Sequence, residues 1–166
     1  KSYYEDWIIH FRSLGLLIII ALFLSLLSIE KGEQHVDVYQ VMGVFDWSWA
    51  QLMKDFFANP SGVYGGFQAP LYFILAKLYG SVFCSNLICL TIFSVIGLVL
   101  LIVLSWSAYP LITGDKKYLF RFIFTLLIAI SPVYIWWAQT TKYNMWFTLI
   151  SVLTLVAGMS FIQKKD

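Results

Sequence analysis

Residues 86–106 read NLICLTIFSVIGLVLLIVLSW, a run with no Lys, Arg, Asp, Glu or His anywhere in it. Wound as a helix at 1.5 Å per residue, a run of this length rises roughly 30 Å, which is the thickness of a bilayer's hydrocarbon core. Such a segment is read as a membrane-spanning helix, and the rest of the chain has to be compatible with it.

Three more runs pass the same test. Leu14 to Ile29, Tyr118 to Trp137 and Tyr143 to Ile162 are apolar over 16 to 20 residues, so the expected architecture is an all-α integral membrane protein with about four crossings. The stretch from Pro70 to Phe83 is also apolar but is interrupted by Lys77 and Gly80. At about 14 residues it matches a re-entrant or interfacial helix and is not counted as a crossing. Signal-peptide character is a poor fit for the first run, which is long for such a segment and is followed by Glu30 and Lys31 with no small residues at a cleavage site.

Composition agrees. Of 166 residues 60% are apolar and 12% charged, and the mean hydropathy is +0.79, so the bilayer must be the solvent. A net charge of +2, dispersed between the apolar runs, gives no footprint for nucleic acid. Cys84 and Cys89 fit neither a redox nor a zinc spacing and read as small packing residues beside an apolar run.

Basic residues report orientation, because cytoplasmic connections hold the excess of Lys and Arg. With four crossings, Arg12, then Lys116, Lys117 and Arg121, then Lys164 and Lys165 all fall on one side. Counting Pro70 to Phe83 as a fifth would split them. The expectation is therefore a plasma-membrane or endoplasmic-reticulum protein with residues 1–13 and the C-terminus cytoplasmic, and with residues 30–83 facing the extracytoplasmic side.

That outer loop has its own order. Ser48 and Gln51 form a capping box ahead of Trp49, Leu52, Met53 and Phe56, an i, i+3, i+4, i+7 stripe predicting an amphipathic juxtamembrane helix over 48–58. Asn59-Pro60-Ser61-Gly62 ends it, and Pro70 opens a second juxtamembrane helix over 70–83.

Within the loop, Glu33, His35 and Asp37 alternate, so an extended strand of chain would project all three from one face, as a divalent metal site or as hydrated polar groups. Asp37 stands among Val36, Val38, Tyr39, Val41 and Met42. A carboxylate partly desolvated there is more basic than in water and suits a general base, though a helix cap or a solvated acid would have the same sequence. Between the third and fourth crossings, Pro132 must disturb the end of a helix, and Gln139 and Lys142 are spaced to share a face. Lys142 either snorkels to water or faces Asp37 across a cavity and holds a phosphate.

Taken in order, these features resemble the N-terminal part of the GT-C membrane glycosyltransferases, and most closely the branch of the protein mannosyltransferases and the aminoarabinose transferase. The resemblance is carried by Asp37 after the first helix, the tryptophan-led amphipathic helix, Gln68-Ala69-Pro70-Leu71-Tyr72-Phe73, Ser131-Pro132, Gln139 and Lys142-Tyr143. Val38 stands where the family often has Glu, Gln68 and Ala69 replace His and Pro, and Lys142 replaces Arg. The resemblance implies transfer of a sugar from a polyprenyl-phosphate donor to an acceptor on the extracytoplasmic face. Asp37 would be the base or, in metal-dependent relatives, a metal ligand; Lys142 would contact the lipid phosphate; and Tyr143, Gln139 and Tyr72 would bind substrate. The competing expectation is a non-catalytic membrane subunit whose aromatic and amphipathic faces dock other membrane subunits.

Overall fold

A computed structural model describes residues 3–27, 45–58, 70–114, 117–139 and 144–163. Its helices are α1 (Tyr3–Leu26), α2 (Trp49–Ala58), α3 (Pro70–Val82), α4 (Leu87–Thr113), α5 (Tyr118–Ala129), α6 (Pro132–Gln139) and α7 (Asn144–Gln163), and no strand occurs among the described residues. Three helices are long and apolar enough to cross a membrane: α1 over Trp7–Leu26, α4 over Ile88–Thr113 and α7 over Asn144–Ile162. The bent pair α5 and α6 makes a fourth if it counts as one span. The chain is thus an all-α integral membrane protein.

α4 is the hub, packed by α1, α3, α5, α6 and α7. Ring contacts fix the directions. His10 of α1 lies 5.6 Å from Trp106 near the end of α4, so those two helices run antiparallel. Phe93 stacks at 4.3 Å on Trp146, pairing the starts of α4 and α7. One end of the bundle, here the loop end, therefore gathers the finish of α1 and α6 and the start of α4 and α7. The other, the turn end, holds the start of α1 and the short connection from α4 to α5. Small side chains allow the closest approach: a Cβ on Gly97 would sit 3.0 Å from Met145 and 3.2 Å from the Trp146 indole nitrogen, as expected where membrane helices pack by contact and not by hydrophobic exclusion.

Several details depart from what the apolar runs alone indicate. α1 starts at Tyr3, well before Leu14, because Trp7 and Phe11 stack at 5.6 Å on one helical face and carry the helix through Arg12, which stays exposed. α4 continues past Trp106 to Thr113. Cys84 and Cys89 are not separate packing residues: they form a disulfide with Cα atoms 5.9 Å apart, inside the range a bridge requires. The turn at 83–86 and the Asn86 cap, whose side-chain oxygen accepts from the Cys89 N–H at 2.9 Å, bring them together.

Both prolines inside the spans remove a helical donor, and each vacated carbonyl finds another. Pro110 leaves Trp106 O without its i+4 partner, and Arg121 Nε of α5 donates to it at 2.6 Å while the guanidinium lies 4.6 Å over the Trp106 ring. Pro132 cannot reach Ile128 O, which accepts from Ser131 N at 3.2 Å instead, and the axis bends by 45°.

Candidate functional site

The loop end holds the residues the sequence singles out. α3 lies there, on the first turns of α4, with Tyr72 and Tyr79 at 6.0 and 5.0 Å from the Phe93 ring, and α2 is held against α3. At 13 residues α3 is too short to cross the core. The capping box forms in both directions: Ser48 N donates to Gln51 Oε1 at 2.8 Å, and Gln51 N donates to Ser48 Oγ at 3.1 Å. Of the expected apolar stripe Leu52 is fully buried, while Trp49 and Met53 remain partly exposed.

Lys77 explains how α2 is held. It is buried on α3, and its ammonium donates to Trp47 O at 2.5 Å and Phe45 O at 3.3 Å while lying 5.5 Å from the Trp49 ring centre. An ionisable side chain in an apolar helix is costly unless its donors are taken up, and here backbone carbonyls just ahead of α2 take them. Phe45 rests directly on Gly80, where any Cβ would overlap its ring. The lone Lys and Gly that interrupt the 70–83 run are thus the seat of α2. Their presence in an apolar run was the available signal; the acceptor was not readable from it.

Gln139 closes α6. Its side-chain amide donates to Leu24 O and Ser25 O, each at 3.2 Å, two carbonyls in the last turn of α1, the part of a helix where acceptors call for partners from outside the helix. Consequently the connection leaving α1 and the connection leaving α6 start beside one another. The first contains Glu33, His35 and Asp37, the second Lys142 and Tyr143; these five residues lie outside the described residues.

Tyr72 is buried at 2% exposure between α3 and α4. Burial pushes its phenol above the ordinary value; the nearby Ser94 hydroxyl offsets part of that rise, although Ser94 Oγ falls short of hydrogen-bond geometry. Tyr72 therefore stays protonated and forms wall, not solvent-facing surface. Among the described side chains Asp46 is the one carboxylate at this end, and it is exposed. No group of three metal-ligating side chains occurs among the described residues.

At the turn end, Arg12, Lys117 and Arg121 concentrate positive charge, and Ser13 of α1 hydrogen-bonds Tyr118 of α5. Comparison with family models, with curated proteins and with solved structures yields no match.

Proposed function

We propose that this chain is a GT-C-like glycosyltransferase, or the N-terminal module of one, using a polyprenyl-phosphate sugar donor. The single observation that supports this is the Gln139 contact with Leu24 and Ser25. It starts the two connections that carry Asp37 and Lys142 from the same point at the membrane edge. Lys142 follows Gln139 by three residues, a reach of about 10 Å, and Asp37 lies in the segment spanning from α1 to the Lys77 clamp.

In this reading Asp37 takes the proton of an acceptor hydroxyl, whose oxygen bonds the anomeric carbon as the bond to the donor's phosphate oxygen breaks. Lys142 offsets the charge gathering on the departing polyprenyl phosphate. A lipid donor requires a site where hydrocarbon gives way to water, so that the tail stays in the bilayer while the phosphate reaches the acceptor. The orientation has two independent supports. Disulfides persist in oxidising compartments, which favours an extracytoplasmic loop end at Cys84–Cys89. Arg12, Lys117 and Arg121 cluster at the opposite end, as cytoplasmic connections do.

The test is sugar transfer from a polyprenyl-phosphate donor by membranes containing Asp37→Asn. The reading requires a fall of about 10²- to 10⁴-fold, the usual contribution of a general base, with helicity unchanged; undiminished transfer removes Asp37 from the chemistry. A second reading, a non-catalytic membrane subunit, draws on the commitment of Gln139 and Tyr72 to helix packing. It requires that wild-type membranes show no transfer and that the chain co-purify with a partner.

A further inference from the structure

Between α1 and α4 runs a groove of about 340 Å³, lined by Leu22 and Leu26 of α1 and by five residues of α4 between Ile92 and Leu100, all of them Ile, Val or Leu. No polar atom lines it. From the start of α4, Ile92 to Leu100 lie about 7 to 20 Å deep at 1.5 Å per residue, so the groove begins in the half of the hydrocarbon core nearer the loop end and runs just past its middle. Leu26, Ile92, Ile96 and Leu100 are 59%, 44%, 38% and 42% exposed, so four of the seven side chains that wall the groove also face the bilayer. The groove is continuous with the lipid-facing surface of the spanning helices.

We infer that this groove is a binding site for one acyl chain of a membrane phospholipid from the leaflet at the loop end. Its walls decide between a chain and a helix. Helices in membranes approach through Gly, Ala and Ser, as α4 does at Gly97 against α7; the groove wall has no such residue and is corrugated by branched side chains. A flexible hydrocarbon chain can follow that surface, and at roughly 30 Å³ per heavy atom the cavity takes on the order of eleven methylenes. Nothing in this requires sugar transfer, since every lining residue belongs to α1 or α4.

The experiment uses the full chain in mild detergent, with retained lipid read by native mass spectrometry and Tm read before and after delipidation. Wild type keeps a phospholipid mass, loses about 2–4 °C of Tm when stripped, and regains it with added dioleoyl phosphatidylcholine. Val95→Phe and Ile96→Trp, two separate ways of filling the groove, bind less phospholipid and lose the Tm response. Wild type indifferent to phospholipid, filled variants retaining it as wild type does, recovery with polyprenyl phosphate only, or a copurifying helix protected by Ile96→Trp would each overturn the inference. Asp37→Asn must leave the phospholipid response intact, which separates this outcome from the fate of the transfer reading.

Discussion

Replacing Arg121 by Met tests how the bundle satisfies the carbonyl that Pro110 abandons. Arg121 makes two contacts with Trp106, a 2.6 Å hydrogen bond to its oxygen and a guanidinium 4.6 Å above its ring. A hydrogen bond from a charged group contributes about 1.5–3 kcal/mol in soluble proteins, and a cation–π contact about 0.5–2 kcal/mol. Hydrogen bonds in membrane bundles average only about 0.6 kcal/mol and reach about 1.7 kcal/mol, because the unfolded helices also find partners. The sum is therefore set near 2 kcal/mol. Pro110→Ala isolates the backbone part, since alanine restores an N–H in register with Trp106 O. In that background Arg121→Met should cost about 1 kcal/mol or less, the ring contact alone. Reversible unfolding in mixed micelles, measured for the wild type, both singles and the double, closes the cycle. An equal cost of Arg121→Met in both backgrounds, within the roughly 0.3–0.5 kcal/mol over which independent sites add, would refute the coupling.

Other perturbations report on the loop end. Cys84→Ser should lower stability by about 2 kcal/mol, the chain-entropy value for so short a closed loop; maleimide labelling of native membranes should modify neither cysteine until a reductant is added. Gly80→Val should displace Phe45 and loosen α2 at a cost of about 1–3 kcal/mol, the range for overpacking. Adding Phe45→Ala should recover most of that loss, visible as restored protease resistance near Lys54. Because burial raises the Tyr72 phenol, the folded state prefers the neutral form, so this residue's share of stability is intact below the free tyrosine range and is lost as pH rises through it. Accordingly Tyr72→Phe should flatten the stability decline above about pH 10, read by unfolding midpoints on a pH series; an unaltered slope would exclude it.

Elements governed by local chemistry were legible in the chain. The charge-free 86–106 run, the Ser48/Gln51 box and the disturbance at Pro132 each depend on residues within a few positions of one another, and each is present. What escaped depends on tertiary approach. Cys84 and Cys89 look inert by spacing, and become a pair only once a turn and the Asn86 cap fold the chain back. Lys77 and Arg121 are visible as cations within apolar runs, yet the carbonyls they serve belong to residues 30 and 15 positions away. Gln139 reads equally well as a ligand to substrate or to backbone, because an amide donor carries no label for its acceptor; here its nitrogen reaches α1.

Pro132 ties these threads to the site. The 45° bend over the eight residues of α6, about 12 Å at 1.5 Å each, carries the end of that helix roughly 8 Å away from a straight continuation of α5. That displacement delivers the Gln139 amide onto Leu24 and Ser25 and packs α6 against both α1 and α4. A broken helix is tolerated at membrane depth where protein surrounds the freed backbone or where it lines a cavity. The break is covered on its own strand of chain by Ser131 N, so its cost is small and its consequence is positional. The same local defect that separates α5 from α6 sets the starting point of residues 140–143 against that of residues 28–44, and it is on this juxtaposition that the proposed partnership of Lys142 with Asp37 rests.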